Sequence, residues 1–264
     1  EWLLVTGTNG KTTTTQLAAH MLQAGGLRVA PVGNIGTPVL DAVRDPGGFD
    51  VLVVELSSFQ LHALGDVWPH SAVCLNLDDD HLDWHGGAQA YRDAKAKVYR
   101  NARVAAVYNV ADPATMAMVE EAEVVEGCRA IGFGLGMPGL SELGIVEGIL
   151  ADRAFLDDRR DAALELATLG DLEVAGLATP HMAQNVLAAA ALARAVGVEP
   201  TAIRDAIRSF RLDHHRTEAV AEIDGVRFVD DSKATNPHAA NGSLQAFGSV
   251  VWILGGLLKG VDVG

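Results

Sequence analysis

The run Val5–Thr15, VTGTNGKTTTT, gathers two glycines, an asparagine, a lysine and a row of hydroxyls. These are phosphate-binding groups. Glycines let successive backbone N–H groups face one anion. A lysine reaches the outer phosphates, and a neighbouring threonine hydroxyl can hold Mg²⁺. The run departs from the common pattern G-x-x-x-x-G-K-[ST]: five places before Gly10 stands Val5, and the nearest glycine is Gly7. It does lie between an apolar run, WLLVT, and a segment of helical periodicity, the context such a loop requires. Lys11 and Thr12 are therefore candidate phosphate and metal contacts, within a loop of Gly7, Thr8, Asn9, Gly10 and Thr13.

Three further stretches carry chemistry-bearing residues. Glu55 closes the apolar run VLVVE, at the strand end where α/β sheets bind ligands. It can hold a divalent cation there, or simply face solvent. In LNLDDDHLDWHG, His81 follows three acids; the run reads equally as a solvated loop, and His81 with His85 has zinc-pair spacing. Lys95 lies in AQAYRDAKAKVYRNA, where a lone helical lysine is ordinarily a surface residue. Lysine is scarce, however: Lys11, Lys95, Lys97, Lys233 and Lys259 are the only five, against fifteen arginines. A lysine kept among arginines can supply a compact charge or an amine able to lose its proton.

TGTNGKTT resembles the loop of the Mur ligase family, which reads T-G-[TS]-N-G-K-[TS] without the earlier glycine. The resemblance continues in ELSSFQL (55–61), in the N-x-x-x-D-H-x-D pattern of Asn76, Asp80, His81 and Asp83, and in Y-R-x-A-K at Lys95. It extends to HHRTE (214–218), DDSKATNPHAA (230–240) and GGLLKG, all in family order. ELSSFQL and DDSKATNPHAA are closest to the member that adds D-glutamate. The family usually has His-Asn-x-x-Asn where this chain has His181-Met182-Ala183-Gln184-Asn185, so Asn185 is retained and Met182 replaces the first asparagine.

The resemblance implies an ATP-dependent, ADP-forming amide ligase of peptidoglycan synthesis, hence of cell shape and division. Its substrates would be UDP-N-acetylmuramoyl-L-alanine and D-glutamate, joined through an acyl phosphate. It implies two Mg²⁺ ions held by Thr12, Glu55, His81 and a carbamate formed on Lys95. Asn185, Arg216 and Asp231 would contact ATP; Asn34, Ser57, Lys233, Thr235 and Lys259 would contact the substrates. Another Mur-type or folylpolyglutamate-type ligase would keep the loop but not DDSKATNPHA. A P-loop switch or motor ATPase would have no need of Lys95. A nucleotide-binding module without ligase activity is a third alternative.

The elements that must position these residues read as α/β. WLLVT, RVAPVG, DVLVVELSS, SAVCLNL and RVAAVYNV are strand-like runs alternating with helical segments, which predicts a mostly parallel sheet. Residues 127–177, glycine-rich with GIVEGIL, RAFLDD and AALELATL, read as a small antiparallel elaboration. TPHMAQNVLAAAALARAVG is a helix with Pro180 at its start and Gly197 at its end. EAVAEIDGVRFVDD reads as a hairpin turning at Asp224-Gly225. A helix over 237–247 and a strand VVWIL are expected to follow. A boundary is placed at Asp213: residues 1–213 form a P-loop ATP-binding unit, and 214–264 begin a truncated Rossmann-like α/β unit. The family's N-terminal UDP-binding domain is not represented, and such a fragment is expected to be inactive alone.

Bulk properties narrow the class. A net charge of −14 argues against a nucleic-acid partner and leaves anionic substrates to local cations, metals and backbone N–H groups. No apolar run is long enough to span a bilayer. Cys74 and Cys128, both in apolar stretches, fit a reduced, cytoplasmic protein. A monomer is expected.

Overall fold

The computed structural model describes residues 1–212, 218–244 and 247–256. In chain order the elements are β1 (Trp2–Thr6), α1 (Lys11–Ala24), β2 (Val29–Gly33), α2 (Val39–Val43), β3 (Val51–Glu55), α3 (Ser58–Ala63) and β4 (Ser71–Cys74). Next come α4 (Leu82–His85), α5 (Ala88–Ala96), β5 (Ala105–Asn109), α6 (Pro113–Glu120), β6 (Arg129–Phe133), β7 (Glu142–Val146), β8 (Ile149–Asp152) and β9 (Leu164–Thr168). The rest are α7 (Leu169–Val174), α8 (Pro180–Val196), α9 (Pro200–Ser209), β10 (Glu218–Ile223), β11 (Val226–Asp230) and α10 (Pro237–Leu244).

Nine strands form one sheet in the order β2-β3-β1-β4-β5-β6-β7-β8-β9. From β2 to β7 the pairings are parallel; β7-β8 and β8-β9 are antiparallel. The parallel strands are buried on both faces, which is why their sequences are continuously apolar rather than alternating. The pleat still divides them by period two. Leu3, Val5, Val51, Val53 and Val73 pack on the face covered by α1, α8 and α9. Leu4, Leu52, Val54, Ala72 and Cys74 belong to the core of the opposite face, with Leu61, Val98, Tyr99 and Met118. Helix α8 is buried along its length, and its small side chains Ala188–Ala191 and Ala193 allow close packing against α1 and the sheet. Among the described residues no helix is long and apolar enough to cross a membrane.

The expected antiparallel elaboration is present, but it extends the main sheet, and residues 127–177 open with the parallel strand β6. RAFLDD forms no strand. The Arg153 guanidinium gathers the carbonyls of Arg159 and Arg160, and the segment folds into a loop around it. The helix carrying Lys95 ends at Ala96 and tightens into a single 3₁₀ turn, Lys97–Tyr99. Two helices that the sequence reading passed over, α6 and the amphipathic α9, pack beside β5 and β9.

The β10–β11 hairpin forms with the expected turn: Asp224 and Gly225 both take positive φ, 51° and 77°, as a type I′ turn demands. Helix α10 runs over Pro237–Leu244 among the described residues; positions 245 and 246 of the expected helix lie outside them, and Phe247 is not helical. VVWIL is not a strand. No neighbouring strand pairs with it among the described residues, and Val251 and Ile253 are 95% and 93% exposed. A strand is held by ladder bonds and covered faces, and this segment has neither. Arg216 and Lys259 lie outside the described residues.

Candidate active site

The loop after β1 supplies the floor of the site. Val5, which occupies the place of the commoner pattern's first glycine, is a fully buried strand residue. Gly7 does that glycine's work two residues later, where the chain leaves the sheet. A Cβ on Gly7 would lie 3.0 Å from Leu75 Cβ, so β4 closes tightly over the turn. Gly10, the residue before α1, has φ +81°, and a Cβ there would meet Asn185 Oδ1 at 2.3 Å. Asn185, on α8, is therefore packed directly on the phosphate loop.

The end of β4 clamps this loop from the side. Asn76 Oδ1 accepts from the Asn9 N–H (2.8 Å), and Asn76 Nδ2 donates to the Asn9 carbonyl (3.2 Å). The Thr8 N–H donates to the Asn76 carbonyl, and Thr8 Oγ1 accepts from the Asp78 N–H, both at 3.0 Å. Thr8 Oγ1 also lies 3.0 Å from the Tyr91 hydroxyl on α5. These bonds within the chain set the shape of the loop. The Lys11 ammonium donates back to the carbonyls of Gly7 (3.0 Å) and Thr8 (2.9 Å).

Lys95 is not a surface lysine. It is 1% exposed, donates to the Gly7 carbonyl at 2.6 Å, and sits 4.8 Å from the centre of the Tyr91 ring. Burial, and then the Lys11 charge, pull its pKa from 10.5 to about 7. Lys97, on the next turn, instead donates to the His62 carbonyl at the surface.

Glu55 is 1% exposed at the end of β3. Its Oε1 accepts from Asn34 Nδ2 (2.9 Å), while its Oε2 is buried with no hydrogen-bond partner. A buried carboxylate oxygen is costly to leave unpaired, and a cation is the partner that would offset the cost. Gly33 permits the approach: with φ +104°, a Cβ there would stand 2.4 Å from the Glu55 carbonyl oxygen.

His81 begins α4 with φ 54°, 3.6 Å from Asp80 and edge-on to Phe59. His85 does not converge with it on a metal. Its Nε2 pairs with Ser58 Oγ at 2.9 Å, and its ring stacks on Phe59. Among the described residues no three His, Cys, Asp or Glu side chains cluster as metal ligands.

These groups surround one cleft of about 620 Å³. Thr8 through Thr13 line its floor, with Asn34, Glu55 and Ser57 on one wall and His81, Tyr91 and Lys95 beside them. Met182 and Asn185 contribute from α8; Asp231, Lys233, Thr235 and Asn236 come from the segment after β11. Met182 is 7% exposed and belongs to the core, with its sulfur 3.9 Å from Asn185 Nδ2. Ser57 caps α3 through a reciprocal box with Gln60. Every expected site residue among the described residues except Gly7, whose carbonyl lies beneath, faces this cleft. The sequence reading missed Asn76 as the clamp, Tyr91, Gly33 and Asn236. Asn76 and Tyr91 stood inside the quoted motifs, whereas the partners of Gly33 and Asn236 are distant in sequence.

Residues 5–193 match the family model for the Mur ligase middle domain. The chain belongs to the Mur ligase family. A UDP-N-acetylmuramoylalanine--D-glutamate ligase of Leifsonia xyli subsp. xyli is 67% identical over 268 residues, covering 100% of this chain and 52% of the relative. A protein of the same name from Streptomyces avermitilis is 58% identical over 261 residues, covering 99% of this chain and 55% of its own. The chain thus spans about half the length of these curated relatives. A solved UDP-N-acetylmuramoyl-L-alanyl-D-glutamate--2,6-diaminopimelate ligase shares the fold, with TM-score 0.68 at 23% identity over 93% of this chain and 53% of its own. The mostly parallel sheet with its antiparallel extension is the mixed α/β architecture that this likeness concerns.

Proposed function

We propose that this chain is the ATP-binding core, with the start of the acceptor-binding unit, of an enzyme that adds D-glutamate to UDP-N-acetylmuramoyl-L-alanine. One observation carries the reading. The phosphate loop, Glu55, His81 and the buried Lys95 share a cleft with Asp231, Lys233 and Thr235. A switch or motor ATPase has no use for a buried lysine near neutrality or for a further lysine, Lys233, lining the same cleft. The relatives' names support the choice of substrates. The unpaired cysteines agree with a cytoplasmic enzyme. In this reading residues 1–213 hold ATP and residues 214–264 begin the acceptor unit.

Phosphoryl transfer needs positioning and charge neutralisation more than covalent help. The N–H groups at the start of α1 would receive the phosphates. Lys11, now donating to its own loop, would turn to the γ-phosphate. Asn185 and Asp231 would face the nucleoside, with Arg216 on a phosphate. Asn34 and Ser57 would hold the sugar-nucleotide carboxylate, which attacks the γ-phosphorus and expels ADP. Lys233, Thr235 and Lys259 would hold D-glutamate, whose amine attacks the acyl phosphate, loses a proton and displaces inorganic phosphate.

Thr12, Glu55, His81 and a Lys95 carbamate would hold two Mg²⁺ ions, and the orphan Glu55 oxygen supports that assignment. When bound, the metal neutralises the γ-phosphate and the incoming carboxylate. The carbamate is chemically accessible. A Lys95 amine with pKa about 7 is substantially neutral near pH 7, and its Nζ can attack CO₂, forming an N–C bond and releasing a proton.

The test follows phosphate release by the full-length protein with ATP and UDP-N-acetylmuramoyl-L-alanine. D-glutamate, L-glutamate, L-alanine or meso-diaminopimelate would be added in turn. Stimulation by D-glutamate alone, lost in Lys95→Ala and restored by short carboxylic acids, is the expected result. Release indifferent to every amino acid and to the sugar nucleotide would overturn the reading.

A further inference from the structure

Asn9 and Asn236 are joined across the cleft. Asn236 Nδ2 donates to Asn9 Oδ1 at 2.7 Å, linking residues 227 apart in sequence. The polarity of this bond is set from the Asn236 end. Asn236 stands before Pro237 at the start of α10, and its Oδ1 accepts from the Ala239 N–H at 2.9 Å. Asparagine is among the best helix caps and proline suits the position after it. The cap commits the Asn236 oxygen, so its NH₂ must face Asn9. The Asn9 backbone is meanwhile gripped on both sides by Asn76, which holds the Asn9 side chain in place.

We propose that Asn236 is a positioning residue that ties the acceptor loop to the phosphate loop. Lys233 and Thr235 lie three residues and one residue before it. Their distance from the nucleotide is therefore set in part by this neutral amide–amide bond. A neutral tie has a physical advantage here: it fixes the acceptor loop without drawing the Lys11 or Lys233 charge away from anionic ligands. Asn9, bonded to the acceptor loop through its side chain and to Asn76, just after β4, through its backbone, carries any shift of the phosphate loop to both.

The identity of the acceptor rests on the ligase reading above; the bond itself does not. The test uses the full-length protein and Asn236→Ser. Serine caps α10 as well as asparagine does, but its hydroxyl is too short to reach Asn9. Loss of one such bond is expected to raise KM for the acceptor amino acid roughly threefold to tenfold. The melting temperature should hold, and affinity for the Mg²⁺ complex of a non-hydrolysable ATP analogue should change less than about twofold. Asn9→Ala should add no further increase to Asn236→Ser.

Hydrogen exchange supplies a readout independent of ligation. The same analogue should slow exchange of amides 233–236, to which no direct nucleotide contact is assigned, in the wild type but not in Asn236→Ser. An unchanged acceptor KM together with undiminished protection in the variant would overturn the proposal. If the wild type ignores every amino acid, the ligase reading fails by itself, and the exchange result still decides whether the tie operates.

Discussion

Lys11 and Lys95 share one acceptor. Both amines donate to the carbonyl oxygen of Gly7, at 3.0 Å and 2.6 Å, so two potential cations converge on a single backbone group. Lys11 can turn toward the cleft, whereas Lys95 is enclosed, and the enclosed amine yields its proton.

This arrangement has a pH signature. The Lys95 pKa falls from 10.5 to about 7 on folding, through burial first and Lys11 second. Between those values the unfolded chain binds a proton that the folded protein does not, so stability rises with pH across that window. Below about pH 7 both states are protonated and the burial cost is fully present. Lys95→Met removes the titration. In CO₂-free buffer without nucleotide, the variant should be more stable than wild type at pH 6, with the gap closing between pH 7 and 10.5. Urea unfolding at several pH values measures this; a constant gap would contradict the assignment.

Glu55 should trade stability for metal. Glu55→Gln keeps the oxygen that accepts from Asn34 Nδ2 but removes a buried charge with an unpaired oxygen. Stability should hold or rise by about 1 kcal/mol. Mg²⁺ should no longer strengthen nucleotide binding. Thermal unfolding and calorimetric titration with and without Mg²⁺ separate the two effects.

Gly10→Ala tests the contact with α8. The new Cβ needs the space of Asn185 Oδ1, in a backbone conformation that costs a non-glycine residue about 1–2 kcal/mol. Asn185 must swing away, so nucleotide affinity should fall by more than the stability loss alone explains. Titration at a temperature where the variant remains folded would show it.

Arg194 provides a contrast remote from the phosphate loop. Its guanidinium bonds Asp152 at 2.9 Å and the carbonyls of Val198 and Phe155, tying α8 to the end of β8. Asp152 is fully buried, so Arg194→Met would strand its charge and cost about 3–5 kcal/mol. Nucleotide affinity should be retained by the folded fraction. Urea unfolding reports the first effect and ligand titration the second.

Legibility followed the range of the interactions. The parallel strands were plain because burial on both faces leaves an unbroken apolar run, as in Val51–Val54. The phosphate loop was plain because its residues adjoin in the chain. The status of Lys95 was not, since nothing in a helical lysine's neighbours shows that α5 turns it inward beneath Gly7. Asn236 looked like a cap, and its second bond depends on a residue 227 positions away. VVWIL misled for the opposite reason: strand composition does not make a strand without a neighbour to pair with.

The placement of β1 bears on how the chain is made. Its partners on both sides, β3 and β4, come later in the sequence, while β2, the next strand, stands at the sheet's edge. During synthesis the phosphate loop's supporting strand must wait for its second neighbour until Ser71–Cys74 has left the ribosome. Closure through such distant contacts is slow and leaves the nascent chain open to wrong partners. Chains arrested before Cys74 should be bound by chaperones and unable to hold nucleotide.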